Sequence, residues 1–172
     1  VYQIAHSMFV GVSSAVQPIN GYNFGAKNYD RVRKTYRMAT GAALVISALW
    51  WLIYLLLPRQ LAMLFVSNEP LYLDCAAHCF RLYMMAFFLY GVHMTTASFF
   101  QGIGKPPRSL LISLVRQGVL LIPLALLLSR YWGLDGALFA VPIADVLTCL
   151  LCVALAWSEF WGWKKRGWLN AA

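Results

Sequence analysis

The segment Gln17–Arg37 reads QPINGYNFGAKNYDRVRKTYR and follows an apolar run. Its second half carries one acid, Asp30, and a cluster of basic residues: Lys27, Arg31, Arg33, Lys34 and Arg37. A cationic loop beside an apolar span is typical of the cytoplasmic side of a membrane, because such loops resist translocation. We therefore place this loop in the cytoplasm and orient every later span from it.

The composition excludes a water-soluble domain. The 172 residues are 61% hydrophobic and only 12% charged, and the mean hydropathy is +0.65. A soluble domain has about 25% charged residues. The net charge of +8 lies mainly in short loops between apolar runs, which indicates membrane orientation rather than a nucleic-acid partner. The predicted fold is all-α, a polytopic membrane helix bundle. Its surrounding partner is the lipid bilayer.

Five transmembrane helices are predicted, and together they form one domain over residues 1–172. The spans are 4–22, 38–57, 79–100, 109–128 and 136–157. An amphipathic connector, with a turn at 68–70, is expected over 59–74. The basic loops alternate with mixed ones, which places the C-terminus in the cytoplasm and the N-terminus outside. Since the chain starts at Val1, almost inside a span, we expect it to be a fragment of a longer protein.

Prolines and cysteines have mainly structural interpretations. Pro18, Pro123 and Pro142 are expected to kink their helices, because proline cannot donate the helical hydrogen bond. The cysteines are interpreted as small apolar core residues; they are Cys75, Cys79, Cys149 and Cys152. We expect no metal site and no cofactor.

Five residues are candidates for substrate binding or ion coupling. Asp145 is the deepest ionisable group, and helical rise places it within reach of Arg116. The two residues form either a structural pair or a proton or cation relay. Gln17 lies beside backbone carbonyls that Pro18 frees, so it either lines a site or holds a kinked gate. His93 either titrates near physiological pH as a functional group or packs as a hydrogen-bonding residue. Tyr90 either faces a substrate cavity, where its ring could hold a cation, or lies against lipid or in the core.

Several segments resemble one family of transporters. The first is Gln17-Pro18 with Gly21–Lys27 and Arg31–Arg33, and the second is Phe99–Lys105. Weaker matches are Arg116-Gln117 with Pro123, Gly133–Gly136 and Pro142–Asp145. In this order they resemble helices eight to twelve of the multidrug and toxic compound extrusion (MATE) family. The resemblance implies a partial C-terminal lobe of a twelve-helix, two-lobed carrier.

The resemblance also implies a function and partners. The expected function is export of drugs or organic cations in exchange for H⁺ or Na⁺ by alternating access, in the cell (plasma) membrane. The expected partners are that small molecule and the missing N-terminal lobe of the same chain. The segment 82–100, which resembles the tenth helix, has no Asp or Glu. This departure disfavours a Na⁺ site within these 172 residues. It favours coupling to H⁺ through an acid in the missing lobe.

Three alternatives stay open at this point. A lipid-linked sugar flippase of the same superfamily would need a more cationic cavity, whereas Arg116 is the only deep cation. A membrane-embedded enzyme would need paired polar catalysts at one depth, and the sequence presents no such pair. A non-transporting membrane assembly subunit would show no substrate flux.

Overall fold

The helices follow one another with short connections. The structure is a computed structural model that describes residues 2–63 and 70–169, so part of the predicted connector, including residues 68 and 69 of its turn, lies outside the described residues. The helices are α1 (Tyr2–Gly25), α2 (Tyr29–Leu56), α3 (Pro58–Met63), α4 (Pro70–Tyr83), α5 (Tyr90–Gly102), α6 (Pro106–Leu114) and α7 (Ile122–Lys165). A 3₁₀ turn occupies Phe87–Leu89, and a π-helical segment occupies Val115–Leu121.

Helix α7 reverses direction about a quarter of the way along its length. Trp132 and Gly133 leave helical geometry, with φ of −124° and +58°. Residue 136 packs directly on the turn before it, since a Cβ at Gly136 would lie 2.0 Å from the carbonyl oxygen of Leu128. Residue 116 contacts residue 145. Residue 108, which is earlier in the chain, contacts residue 159, which is later, so the two contacting segments run in opposite directions. Residues 106–131 and 134–165 are therefore the first and second arms of an antiparallel hairpin.

Helices α1 and α5 run parallel. The ring of Phe9 lies 5.5 Å from that of Tyr90, and Ser98 Oγ donates a hydrogen bond of 2.8 Å to the carbonyl oxygen of Ser13. The earlier residue of α1 contacts the earlier residue of α5, and the later residue contacts the later one, so the two helices run in the same direction.

Helix α2 runs antiparallel to α5. Tyr36 Oη and Thr96 Oγ1 share a hydrogen bond of 2.9 Å near one end. Further along, a Cβ at Gly91 would lie 2.7 Å from the carbonyl oxygen of Ala43. The two backbones approach this closely because residue 91 has no side chain.

The third predicted span differs from the structure. Residues 79–100 were expected to form one helix, yet α4 ends at Tyr83 and α5 begins at Tyr90. Side chains of α2 satisfy two of the backbone carbonyls at the break: Trp51 Nε1 donates to Met85 O at 3.1 Å, and Ser47 Oγ donates to Phe88 O at 2.8 Å. Irregular backbone at membrane depth persists where protein groups replace the missing hydrogen bonds.

Two of the prolines that the sequence predicts to kink their helices lie inside helices. Pro18 lies within α1, which continues to Gly25, and Pro142 lies within the second arm. Pro123 is the second residue after the π-helical segment, which ends at Leu121. A proline has no N–H for the preceding turn, and a π turn is one way to rearrange that turn's hydrogen bonds.

The bundle is a polytopic membrane fold. Three described stretches are long and apolar enough to cross a membrane: Tyr29–Leu56, Cys75–Gly102 and Pro106–Lys165. The third contains both hairpin arms. Helix α1 does not meet these criteria of length and hydropathy. Its 24 residues nevertheless pack along α2 and α5.

Charge is unequal between the two ends of the bundle. One end, which we call the basic end, collects the end of α1, the start of α2, the α5–α6 connection and the end of α7. It carries ten of the fourteen basic residues: Lys27, Arg31, Arg33, Lys34, Arg37, Lys105, Arg108, Lys164, Lys165 and Arg166. The opposite end carries Arg59, Arg81 and Arg130. This asymmetry is what the positive-inside pattern of the sequence predicted.

Candidate functional site

A buried ion pair joins the two arms of the hairpin. Arg116 Nε and Nη2 lie 2.8 Å and 2.7 Å from Asp145 Oδ1. The exposed fractions of Arg116 and Asp145 are only 9% and 7%. Burying either charge alone would be costly, whereas a hydrogen-bonded pair neutralises both.

The π-helical segment sets the position of this arginine. Arg116 is the second residue of Val115–Leu121. A π turn adds a residue to the helical turn, so the side chains within it are presented differently from those of a regular helix. Such segments frequently occur at functional sites.

Tyr90 extends the ion pair toward α5. The Arg116 guanidinium carbon lies 5.2 Å from the centre of the Tyr90 ring, within cation–π distance. That ring stacks on Phe87 at 5.5 Å with only 4° between the planes, and it meets Phe9 edge-on. These aromatic neighbours hold Tyr90 in place, so the tyrosine forms a fixed wall beside the arginine.

His93 lies one helical turn further along α5. The centres of its ring and the Tyr90 ring are 5.7 Å apart. Although only 9% of His93 is exposed, neither ring nitrogen has a hydrogen-bond partner in the described part of the chain. Buried polar atoms normally have partners, so this imidazole can still bind a polar group.

A cleft of about 220 Å³ connects His93 with Gln17. Its other polar lining comes from α1, α5 and α6: Ser13, Ser14, Ser98, Gln101 and Ser113. The Ser13 hydroxyl, like the His93 nitrogens, is buried and has no partner among residues 2–63 and 70–169. The cleft therefore offers several hydrogen-bonding groups inside an apolar bundle.

The structure brings together all five candidates from the sequence. Asp145 contacts Arg116, Arg116 lies on Tyr90, and Tyr90 neighbours His93, which shares its cleft with Gln17. The serine residues of the cleft were not predicted, because serines in apolar helices equally indicate close helix packing.

Sequence analysis also missed Glu159. This carboxylate is 4% exposed and accepts hydrogen bonds from Lys105 and Arg108 at the start of the other arm. It accepts a third, of 2.8 Å, from Trp163 Nε1 one turn later. A signal was available: Glu159 is the only acid after Asp145, and it precedes the basic tail.

The described residues contain no group of three or more His, Cys, Asp or Glu side chains that could hold a metal ion. The cysteines are free thiols on α4 and on the second arm: Cys75, Cys79, Cys149 and Cys152. Cys152 is buried and belongs to the core cluster that also contains Tyr36 and Phe99, but Cys75 is exposed. The expectation of core packing thus describes Cys152 but not Cys75.

Comparison with known proteins decides the family. The sequence model of the family described as MatE matches residues 1–127, which is most of the chain. The chain belongs to the MATE family. This agrees with the resemblance that the motifs of Gln17–Arg33 indicated.

Two curated proteins that are similar to this MATE chain are named as transport proteins. It is 25% identical over 156 residues to the multidrug export protein MepA of Staphylococcus haemolyticus, covering 91% of the chain and 34% of MepA. It is 29% identical over 147 residues to an FAD transporter of Shewanella oneidensis, covering 86% of the chain and 32% of that transporter. The chain spans about a third of the length of these relatives.

Solved structures of transporters have the same helical arrangement. The MATE multidrug transporter DinF-BH is 34% identical, with a TM-score of 0.82 over 88% of this chain and 34% of its own. A transporter of Pyrococcus furiosus is 21% identical, with a TM-score of 0.88 over 95% of this chain and 37% of its own. The latter likeness shows the fold alone.

Proposed function

We propose that this MATE chain forms part of the C-terminal lobe of a secondary active transporter. The transporter would export drugs or organic cations in exchange for H⁺ or Na⁺, by alternating access. The other lobe would come from further helices of the same chain, because the curated relatives are about three times as long. Its location would be the plasma membrane, with the basic end and the C-terminus in the cytoplasm.

The polar set at mid-depth carries the proposal. Asp145, Arg116, Tyr90 and His93 form one connected row inside an apolar bundle, and the row ends at the cleft that Gln17 lines. Ionisable groups at membrane depth are costly and typically mark a substrate or ion pathway. An aromatic ring beside the cleft suits an organic cation.

H⁺ is the coupling ion that these residues favour. The broken helix α4–α5 has no acid between residues 79 and 102, so it offers no carboxylate ligand for Na⁺. The remaining mid-depth acid, Asp145, is engaged by Arg116. We therefore assign coupling to a protonatable acid of the missing lobe.

A lipid-linked sugar flippase fits the cavity less well. Such a substrate carries phosphate groups, and several unpaired deep cations would be needed to bind it. Arg116 is the deep cation of this chain, and Asp145 already neutralises its charge.

Dye efflux tests the proposed function. Cells that produce the chain together with its N-terminal lobe are loaded with ethidium, and retention is followed after addition of a protonophore or of the Na⁺ ionophore monensin. We expect efflux that the protonophore abolishes. Unchanged dye retention, with the protein shown to be in the membrane, would contradict transport of organic cations.

A pair of variants tests the site within the same assay. His93→Leu removes the imidazole from the cleft and should reduce efflux at equal protein level. Leu150→Ala is the matched control, because Leu150 is 62% exposed on the second arm and away from the cleft. Equal efflux by both variants would exclude His93 from the substrate path.

A further inference from the structure

A second cleft, of about 280 Å³, opens at the basic end between α2 and the second arm of α7. Its charged lining comes from both helices: Arg33 and Arg37 from α2, and Lys164 from the arm. Its aromatic lining includes Trp157, Phe160 and Trp161. We call this feature the basic cleft. It is separate from the mid-depth row that ends at Gln17.

The three cations of the basic cleft are available to an external anion. Within residues 2–63 and 70–169, Arg33, Arg37 and Lys164 form no ion pair. The contrast with Lys105 and Arg108 is informative, because Glu159 binds both of those at the same end of the bundle. No acid lines the basic cleft, so its charge is uncompensated there.

An exposed apolar stripe leads from the cleft along the second arm. Trp161 and Trp157 are 51% and 70% exposed, and Val153 and Leu150 continue the same helical face with 52% and 62% exposed. Such a face in a membrane protein contacts lipid chains, and indole rings favour the headgroup level. The cleft therefore joins a cationic pocket to a lipid-facing surface at the interface.

We propose that the basic cleft binds one anionic phospholipid of the cytoplasmic leaflet. Its phosphate lies between Arg33, Arg37 and Lys164, where guanidinium groups can donate paired hydrogen bonds to the phosphate oxygens. Its acyl chains follow the stripe from Trp161 to Leu150. Basic pockets between transmembrane helices at the cytoplasmic side bind such headgroups in this way. A soluble phosphate would make no use of the apolar stripe.

Quenching of tryptophan fluorescence measures this binding. The protein is reconstituted with its N-terminal lobe in mixtures of phosphatidylcholine and phosphatidylglycerol, with bromine on the acyl chains of one lipid at a time. Bromine quenches nearby indoles, so Trp157 and Trp161 report which lipid occupies the stripe. We expect preferential quenching by brominated phosphatidylglycerol, and we expect Trp157→Phe combined with Trp161→Phe to remove most of that preference.

Charge variants separate the cleft from the general attraction of a basic surface. Arg33→Gln, Arg37→Gln and Lys164→Gln should each reduce the preference by roughly tenfold, because each removes a charge-assisted hydrogen bond to the phosphate in addition to the general attraction of a cation. The matched control combines Arg31→Gln, Lys34→Gln and Arg166→Gln, which removes three cations at the same end but outside the cleft. Arg37→Lys keeps the charge and should retain most of the preference.

Three outcomes would overturn the proposal. They are an equal loss in the control and cleft variants, no loss in the cleft variants, and displacement of the brominated lipid by millimolar inorganic phosphate. The last result would assign the site to a soluble anion. Circular dichroism of each variant verifies that the helices are retained, and Arg37→Lys keeps the test decisive if a glutamine variant fails to fold.

Discussion

Arg116 Nη2 lies 2.7 Å from Asp145 Oδ1, and Nε of the same guanidinium lies 2.8 Å from that oxygen. The two residues are 29 positions apart and belong to opposite arms of one hairpin. The contact fixes the register of the arms at mid-depth, as Glu159 with Lys105 and Arg108 does at the basic end. Two charge clusters of this kind specify how the arms pair, whereas apolar faces alone would allow them to slide.

The first prediction concerns this ion pair. Asp145→Asn leaves the buried Arg116 uncompensated, and Arg116→Gln does the same to Asp145. Each single variant should lose about 3–5 kcal/mol, because an unpaired buried charge is costly. The combined variant should regain part of that loss. Thermal unfolding in detergent measures all three, and a double variant whose loss equals the sum of the single losses would show that the residues are not coupled.

Some features could be predicted from the sequence because they depend only on the order of the residues. The apolar runs, the basic segment around Arg33 and the depth of Asp145 can be read from residue order alone. The proximity of Arg116 and Asp145 followed from helical rise, since both depths could be counted from the span ends. The resemblance around Gln17-Pro18 then indicated the family that the comparisons show.

Other features depend on partners that residue order does not reveal. The break between α4 and α5 contains no proline, and Ser47 and Trp51 of another helix satisfy its carbonyls. The buried state of Glu159 depends on Lys105 and Arg108, which approach only after the hairpin forms. The π-helical segment around Arg116 likewise has only an indirect signal, the proline that follows it.

The second prediction tests the contact of α2 with α5. Gly91→Ala places a methyl group 2.7 Å from the carbonyl oxygen of Ala43, so the two helices must separate. We expect destabilisation by about 1–3 kcal/mol, as for other overpacked positions. Gly41→Ala is the control, because a Cβ there would meet nothing within 4 Å. It should be neutral or raise the unfolding temperature, since alanine favours helix over glycine.

Equal melting temperatures of the Gly91 and Gly41 variants would contradict the close approach of the two backbones. A fluorescence distance between labels on α2 and α5 provides a second readout, which should lengthen only in the Gly91 variant.

The third prediction concerns the carboxylate of Glu159. Glu159→Gln removes the negative charge that holds Lys105 and Arg108, while keeping an acceptor for Trp163 Nε1. We expect a loss of about 2 kcal/mol, because the hydrogen bonds of Lys105 and Arg108 to the buried side chain lose their charge assistance, while both cations stay partly exposed to water. Asp135→Asn removes an acid from the exposed pair with His78 and should cost less than about 1 kcal/mol.

Unfolding in detergent at low and high salt distinguishes the two cases. Screening should weaken the exposed pair of Asp135 and leave the buried Glu159 cluster almost unchanged. Similar losses in both variants would contradict the burial of Glu159.

The last prediction concerns orientation in the membrane. The basic end carries ten of the fourteen Lys and Arg residues, and it includes both the loop around Arg33 and the C-terminal Lys164–Arg166. Cationic segments near span ends remain on the cytoplasmic side. A green fluorescent protein fused after Ala172 should therefore fluoresce in the cytoplasm, and alkaline phosphatase at the same position should be inactive. A fusion at residue 132, in the turn between the hairpin arms, is the control and should give the opposite result with each reporter. An active phosphatase after Ala172 would place the basic end outside and would remove the physical basis of both the proposed orientation and the lipid site.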